Sequence, residues 1–375
     1  MQNPFQYGKV VGDPYFADRE TELRDLCGDV QGRNNVVLYS PRRFGKTSLL
    51  FKLSGVMREQ GYKVLYLDFF RVTSRQAFMD LYSREVLIQS GKRWKSTLKK
   101  VGTLVKGIRP LITLDPVGNP GFSFTFEPMP PSQQTLEGVL NLTEKLDPEQ
   151  KWLVIFDEFQ EIGKLNGDGF ENVLRSVIQH HTQTSYIFSG SRYHMLLDIF
   201  SQPGRPFYQF CKVMQLDKIA AESMAEYISG RFRETGLEIS RELADGIIAR
   251  SDNIPNYVQY IASEVWQLSV QSGKKPDDAM LQKAMENMMA NLNDFFLQIW
   301  DGLSLQQKKL LIAISIENSN IFSRDYHARH RLGAVSSTQR AAQNLILLQL
   351  LSKHDSCYEF CDPLFKRFVR TRISF

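Results

Sequence analysis

The stretch NVVLYSPRRFGKTSLL, residues 35–50, decides how this chain is read. A short apolar, β-branched run ends at Ser40, a loop follows, and a helix-like pattern begins at Thr47. The loop residues Ser40, Pro41, Arg42, Arg43, Phe44, Gly45, Lys46 and Thr47 fit the phosphate-binding pattern G-x-x-x-x-G-K-[ST] everywhere but the first position, where Ser stands for Gly. A loop between a strand and a helix turns successive backbone N–H groups, and the positive end of the helix, toward an anion. In that setting Lys46 reaches the β- and γ-phosphates of a nucleotide, Thr47 offers a hydroxyl to Mg²⁺, and Ser48 opens the helix behind them. Arg42 and Arg43 either add positive field near phosphate or anchor the loop to an acidic neighbour.

A Mg²⁺ held by Thr47 needs a carboxylate beside the loop, at the end of a buried strand. The run WLVIFDE, residues 152–158, supplies one in Asp157, with Glu158 next to it as the residue to orient and deprotonate an attacking water. A further apolar run, TSYIFSG at 184–190, leads into Ser191 and Arg192. An arginine there can stabilise charge on a γ-phosphate, or can simply be a surface residue at a strand end.

Five such runs, at 35–40, 62–69, 152–157, 184–190 and 211–216, alternate with helical patterns and predict a parallel sheet. Phe170, Val173, Leu174, Val177 and Ile178 mark one buried helix face. The long interval between the second and third runs holds an insertion at about 91–131. It carries a basic run at 92–109, two β-like pieces around Gly118-Asn-Pro-Gly121, and the Pro-rich EPMPPS. From 217 to 291 only helical stripes remain: Met224, Tyr227, Ile228; Leu243, Ile247, Ile248; Val258, Ile261, Ala262, Val265. Beyond them, Ser304-x-x-Gln307 and Ser336-x-x-Gln339 predict two capped helices, and the segment around Asp355-Ser356 a short ribbon, together a winged helix. Its candidate recognition helix is polar from Ser336 to Asn344 and apolar from Leu345 to Leu351, a half expected to be buried.

The composition narrows the class. With 375 residues, 42% hydrophobic and 23% charged, the chain is sized for two or three globular domains and is neither disordered nor low in complexity. Four cysteines, Cys27, Cys211, Cys357 and Cys361, make no disulfide framework, and no apolar run approaches the ~20 residues of a membrane span, so a cytoplasmic location is expected. The net charge of +5 is unevenly placed. Residues 301–375 hold 11 Lys/Arg against 6 Asp/Glu, and residues 92–109 hold 7 basic residues and no acid. A polyanion or an acidic protein surface would meet these two zones. Trp94 is a candidate to stack on a base; Arg324, Arg329, Arg331, Lys366, Arg367, Arg370 and Arg372 are candidates for phosphate contacts.

In order along the chain, FADRETEL at 16–23, YSPRRFGKTSLL, IFDEFQEI, FSGSRYHML, PFY at 206–208 and NIPNYVQ at 253–259 resemble the archaeal-type family of P-loop ATPases, on the STAND/AAA+ side of that class, which also occurs in bacteria. The resemblance covers nearly the whole chain. It implies an α/β P-loop NTPase sheet of strand order 5-1-4-3-2 over residues 1–216, a helical lid over 217–291 and a winged helix over 292–375. It further implies ATP and Mg²⁺ as cofactors, with Lys46, Asp157, Glu158 and Arg192 in the chemistry and residues 40–48 around the phosphates. Arg192 becomes the sensor arginine; Asn253-Ile254-Pro255 falls where relatives carry Gly-x-Pro; Phe16 and Arg19 fall near the base. Two functions fit: a slow ATPase that works as a nucleotide-driven switch, with self-association depending on nucleotide, or an initiator-like ATPase whose winged helix, at 324–372, binds DNA rather than protein.

Overall fold

The structure, a computed structural model, describes residues 2–114, 120–127, 131–354 and 357–373. It contains two compact units, one from Arg19 to Asp217 and one formed by the chain up to Asp18 together with Lys218 onward.

The strands, in chain order, are β1 (Val36–Tyr39), β2 (Lys63–Asp68), β3 (Ile108–Leu114), β4 (Pro120–Phe126), β5 (Trp152–Asp157), β6 (Thr184–Gly190), β7 (Lys212–Gln215), β8 (Leu351–His354) and β9 (Cys357–Phe360). In the Arg19–Asp217 unit β7, β1, β6, β5 and β2 lie side by side in that order, and all pairs are parallel. Counting only the strands of this sheet, the order is 5-1-4-3-2, as the resemblance implies. Every residue of β5 and β6 is buried, which is why both read as continuous apolar runs rather than alternating ones. Against them packs an aromatic cluster of Phe69, Phe78, Phe156, Phe159, Phe188, Phe200 and Phe207, with ring centroids mostly 5–6 Å apart. Each such ring buried contributes roughly 1.5–3 kcal/mol, so this face anchors β5 and β6 in the core. The helix Phe170–Ile178 presents to it the stripe read from its spacing.

The insertion consists of a helix, Trp94–Leu104, and the antiparallel hairpin β3/β4. Its charges point outward: Arg93, Lys95, Lys99 and Lys106 are exposed, while Val101 and Val105 are buried. Trp94 is half-buried: its ring packs on Phe122, 5.2 Å between centroids, and Lys95 Nζ lies over it, 5.5 Å from the ring centre. Residues 118 and 119 of the turn and 128–130 of the Pro-rich segment lie outside the described residues.

In the other unit the helices Ala221–Arg233, Arg241–Arg250 and Pro255–Ser272 bury the stripes expected of them. The N-terminal segment is strapped onto these helices. Phe5 is buried against Tyr227 and Phe232, Pro4 O accepts from Arg231, and Tyr15 O accepts from Tyr227 and Gln259. A helix of 24 residues, Asp278–Asp301, follows, and Phe296 on it packs on Phe365 and Phe368. Residues 291 and 292 fall within it.

Helices Leu305–Ile316, Arg324–His330 and Val335–Leu347, the ribbon β8/β9 and a last helix Pro363–Arg370 complete the winged helix. The capping box at Ser304 and Gln307 forms as expected. The one at Ser336 does not: the helix starts two residues earlier, with Ala334 as N-cap, and Ser336 lies within its first turn. Leu345 and Leu351 are buried, but Leu347 and Leu348 between them are 72% and 55% exposed, contrary to the expectation for that half. Leu347 lies off the buried stripe of Thr338, Ala341, Ala342 and Leu345, whose helical spacing turns position 347 outward, and Leu348 is already the residue that caps the helix end. No helix among the described residues is long and apolar enough to cross a membrane.

Candidate nucleotide-binding site

The loop at 40–47 sits between β1 and the helix Lys46–Glu59. Two of its residues adopt left-handed backbone, Arg43 at φ 73° and Gly45 at φ 88°. Gly45 takes that conformation at no steric cost, whereas Arg43 bears strain of the kind that persists where the surroundings enforce it. Alternation of this type turns neighbouring N–H groups to one side and makes an anion-binding concavity at a helix start. Ser40, Phe44, Lys46 and Ser48 are buried; Pro41, Arg42 and Arg43 are exposed; Gly45 and Thr47 are half-buried. Among the described residues, the Ser40 hydroxyl finds no hydrogen-bond partner. Its backbone N–H donates to Gly190 O at 3.4 Å, tying the loop to the end of β6.

The structure brings Lys46 and Asp157 together as a buried ion pair, so two residues far apart in sequence meet as their motifs require. Asp157 is the hub of the site. Its Oδ1 accepts from Lys46, from Ser189 Oγ at 2.5 Å and from the Glu158 N–H at 3.0 Å, and its Oδ2 accepts from the Tyr66 hydroxyl. Burial pushes the Asp157 carboxyl up, but the Lys46 ammonium and the hydrogen bonds from Lys46, Ser189 and Tyr66 outweigh it and hold it below its ordinary value. Burial and the neighbouring Asp157 charge push the Tyr66 hydroxyl well up, so it stays a donor. Asp68, opposite Asp157 on β2, is raised by burial, with the charges of Asp157 and Glu158 adding to the effect.

Glu158 has left-handed backbone, φ 51°, which swings its side chain out of the strand direction. Its Oε1 lies 3.6 Å from Lys46 Nζ. Its Oε2 accepts from Gln160 Nε2 at 2.6 Å, from Ser191 Oγ at 2.9 Å and from Ser191 N at 3.3 Å. Gln160 is in turn buried against Gly190, where an added Cβ would stand 2.2 Å from its Oε1. Arg192, after β6, pairs with Glu161 at 3.5 Å.

Tyr66 lies in no motif, and Gln160 and Ser189, though within IFDEFQEI and FSGSRYHML, were given no role there. Ser189 follows Phe188, which is in register with Phe156, so it stands beside Asp157; Tyr66 is two residues before Asp68, on the same side of β2. Strand alternation would have found both once the register was known, and a single sequence does not carry register. Arg19 is also more involved than its motif suggests. It is buried, with φ 80°, and donates to Phe44 O in the loop at 3.3 Å, to Asp217 O at 2.5 Å and to Glu22 at 2.6 Å. Asn253 has left-handed backbone, φ 52°, and its amide donates to Ile219 O at 2.6 Å. Asn tolerates that region better than other residues with a side chain, which accounts for its standing where Gly is usual.

The residues present suit a nucleotide with Mg²⁺: an ammonium, a hydroxyl and an ionised carboxylate around a concave row of N–H groups. Mg²⁺ at phosphates needs only one or two carboxylates of the protein. Among the described residues no cluster of three or more His, Cys, Asp or Glu forms a protein-only metal cage.

Comparison with known proteins bears on the family and the fold. Residues 16–242 match the model of an ATPase domain predominantly from Archaea, and residues 294–371 that of a probable winged helix domain. Among solved structures the chain is similar to a Walker-type ATPase of Pyrococcus abyssi, with 19% identity and a TM-score of 0.69 over 98% of this chain and 99% of that one. It is also similar to the ORC2 protein of Aeropyrum pernix, solved in ADPNP–ADP complexes, with 12% identity and a TM-score of 0.59 over 99% and 100% of the two chains. At such identities the likeness is one of fold. No curated protein matches the chain in sequence. By the match over residues 16–242, the chain belongs to the family of ATPase domains predominantly from Archaea, here followed by a winged helix domain.

Proposed function

We propose that this chain binds ATP with Mg²⁺, hydrolyses it slowly to ADP and phosphate, and uses the difference between the two nucleotide states as a conformational switch. The observation that carries this reading is the buried cluster in which Lys46, at the start of the helix after β1, meets Asp157 and Glu158 at the end of β5, beside the loop at 40–47. Residues 40–48 cradle the phosphates; Lys46 turns its ammonium to the β- and γ-phosphates; Thr47 and Asp157 hold Mg²⁺. The metal supplies neutralisation of phosphate charge. Glu158 accepts the proton of the attacking water, and Arg192 meets charge developing on the γ-phosphate. The three hydrogen bonds to Glu158 Oε2 support slow turnover, because a base so occupied must give up donors before it can orient water. We also infer three modules, a nucleotide domain to about 216, a lid to about 291 and the winged helix beyond. The test is nucleotide affinity and hydrolysis in wild type, Lys46→Ala and Glu158→Gln, with solution mass measured with and without ATP-Mg²⁺ to detect self-association.

A second reading, DNA as partner of the winged helix, is favoured by one observation. On the helix Val335–Leu347 the side chains of Ser336, Gln339, Arg340, Gln343 and Asn344 are all exposed, a polar row of the kind that reads base edges. Against it, Arg329 is paired with Glu317 and Arg370 donates to Ser315 O, which leaves Arg324, Arg331 and Arg367 as the exposed candidates for phosphate contacts. A protein partner at this face, or at the basic helix of the insertion, remains our first choice. Salt-dependent binding to duplex DNA at ~50 mM salt supports the second reading, and its absence removes it.

A further inference from the structure

Beside the Lys46–Asp157 cluster lies an acid that the proposed chemistry does not use. Glu161 is in the helical turns Phe159–Asp168 that follow β5, and its side chain is 3% exposed. Its Oε1 faces Arg192 Nη1 at 3.5 Å, and its Oε2 faces Lys164 Nζ at 2.5 Å. Among the described residues, neither Glu161 Oε1 nor Arg192 Nε, both buried, has a hydrogen-bond partner.

We propose that Glu161 is a positioning residue that holds Arg192 back, and that transfer of the guanidinium from Glu161 to the γ-phosphate makes the protein discriminate ATP from ADP. The inference rests on the reading of Arg192 as the residue that meets the γ-phosphate. Three features carry it. The pair is close enough for charge attraction but lacks the forked, two-bond geometry that makes arginine–carboxylate pairs strong. An acceptor with several oxygens in reach satisfies the guanidinium better, so the equilibrium is open to a ligand that carries one.

The second feature is Lys164. Removing the only cation from a buried carboxylate is strongly unfavourable. Here a second cation remains on the other oxygen, and its side chain is 63% exposed, so Glu161 can release Arg192 without standing alone. The third is placement. Glu158 is three residues before Glu161, and Ser191, its donor, is next to Arg192. Two tethers, Glu158 to Ser191 and Glu161 to Arg192, thus join the same two segments, and movement of one arginine bears on the carboxylate assigned to the water.

The experiment is a double-mutant cycle on the full chain, reading affinity for ADP and for a non-hydrolysable ATP analogue with Mg²⁺ by calorimetry. Arg192→Ala weakens the analogue by about tenfold or more and leaves ADP within about twofold, the scale of a single coupled contact. Glu161→Gln tightens the analogue by about tenfold, leaves ADP unchanged, and has no effect when Arg192 is already Ala. Glu161→Asp, which keeps the charge in the fold but shortens its reach, shifts the analogue in the same direction by less and stands in if the Gln variant does not fold. An unchanged analogue-to-ADP ratio in Arg192→Ala removes the reading of Arg192, and this proposal with it. A lowered ratio in Arg192→Ala, with a Glu161 effect that is absent or equal in both backgrounds, overturns the proposal and leaves the reading of Arg192 intact.

Discussion

Two charged regions of the molecule differ in what they require of their neighbours. At the end of β5 the charges are buried, and each has partners: Asp157 accepts from Lys46, Ser189, Tyr66 and the Glu158 N–H, and Glu158 from Gln160 and Ser191. In the basic segment of the insertion Arg93, Lys95, Lys99 and Lys106 stand in solvent. Water satisfies an exposed ammonium at no structural expense, so its position records little about what it meets. A buried carboxylate without partners would cost several kcal/mol, so every group around Asp157 is constrained and its chemistry can be argued.

The contrast can be broken most severely at Lys46. Lys46→Ala leaves Asp157 buried without its ammonium and is expected to lower the unfolding free energy by about 3 kcal/mol, while nucleotide affinity falls by about 100-fold or more. Adding Asp157→Asn restores most of the stability and none of the affinity; chemical denaturation and calorimetry read the two separately. Smaller is the effect of pH at the far end of β6, where His181 faces Tyr186 and Asn141. Burial lowers its pKa to about 4, partly opposed by the charge of Glu144. The unfolded chain binds this proton near the ordinary value of ~6.5, so the contribution is fully present above that pH and is lost as pH falls toward about 4. The unfolding free energy is expected to fall over that window by on the order of 2–3 kcal/mol, read as a drop in the denaturation midpoint, and His181→Gln flattens the slope.

A steric change sharpens the comparison further. Gly190→Ala drives a methyl into Gln160 and is expected to cost about 1–3 kcal/mol in thermal or denaturant unfolding, with a looser hold on Glu158. The smallest effect belongs to the exposed segment: Lys95→Glu and Lys99→Glu should each leave stability within about 0.5 kcal/mol of wild type and nucleotide affinity unchanged.

The same contrast explains what the sequence shows and what it hides. β5 and β6 were legible because burial on both faces writes continuous apolar runs, and the loop because Lys46 and Thr47 sit at fixed offsets from Gly45. Asp157 was legible as the acid ending such a run. Tyr66, Ser189 and Gln160 were hidden, since their part depends on strand register and on Gly190 leaving room, neither of which is local. The start of the helix at Val335 was misjudged because a Ser-x-x-Gln pattern does not by itself fix the first residue, and the exposure of Leu347 and Leu348 because an apolar run was weighed without the helix phase and helix end that decide which side chains turn inward. The packing of Trp94 on Phe122 was hidden too, because Phe122 stands on β4, far along the chain from the helix that Trp94 opens.

The central claim is that the cluster around Asp157 binds ATP and that Glu158 turns it over. It is tested most directly by measuring ATP affinity and single-turnover hydrolysis side by side in wild type and Glu158→Gln. The account predicts affinity within a few-fold and hydrolysis slowed by about 100-fold or more, the usual scale for loss of a general base. Equal hydrolysis in the two proteins, or no binding of ATP-Mg²⁺ by wild type, would contradict it.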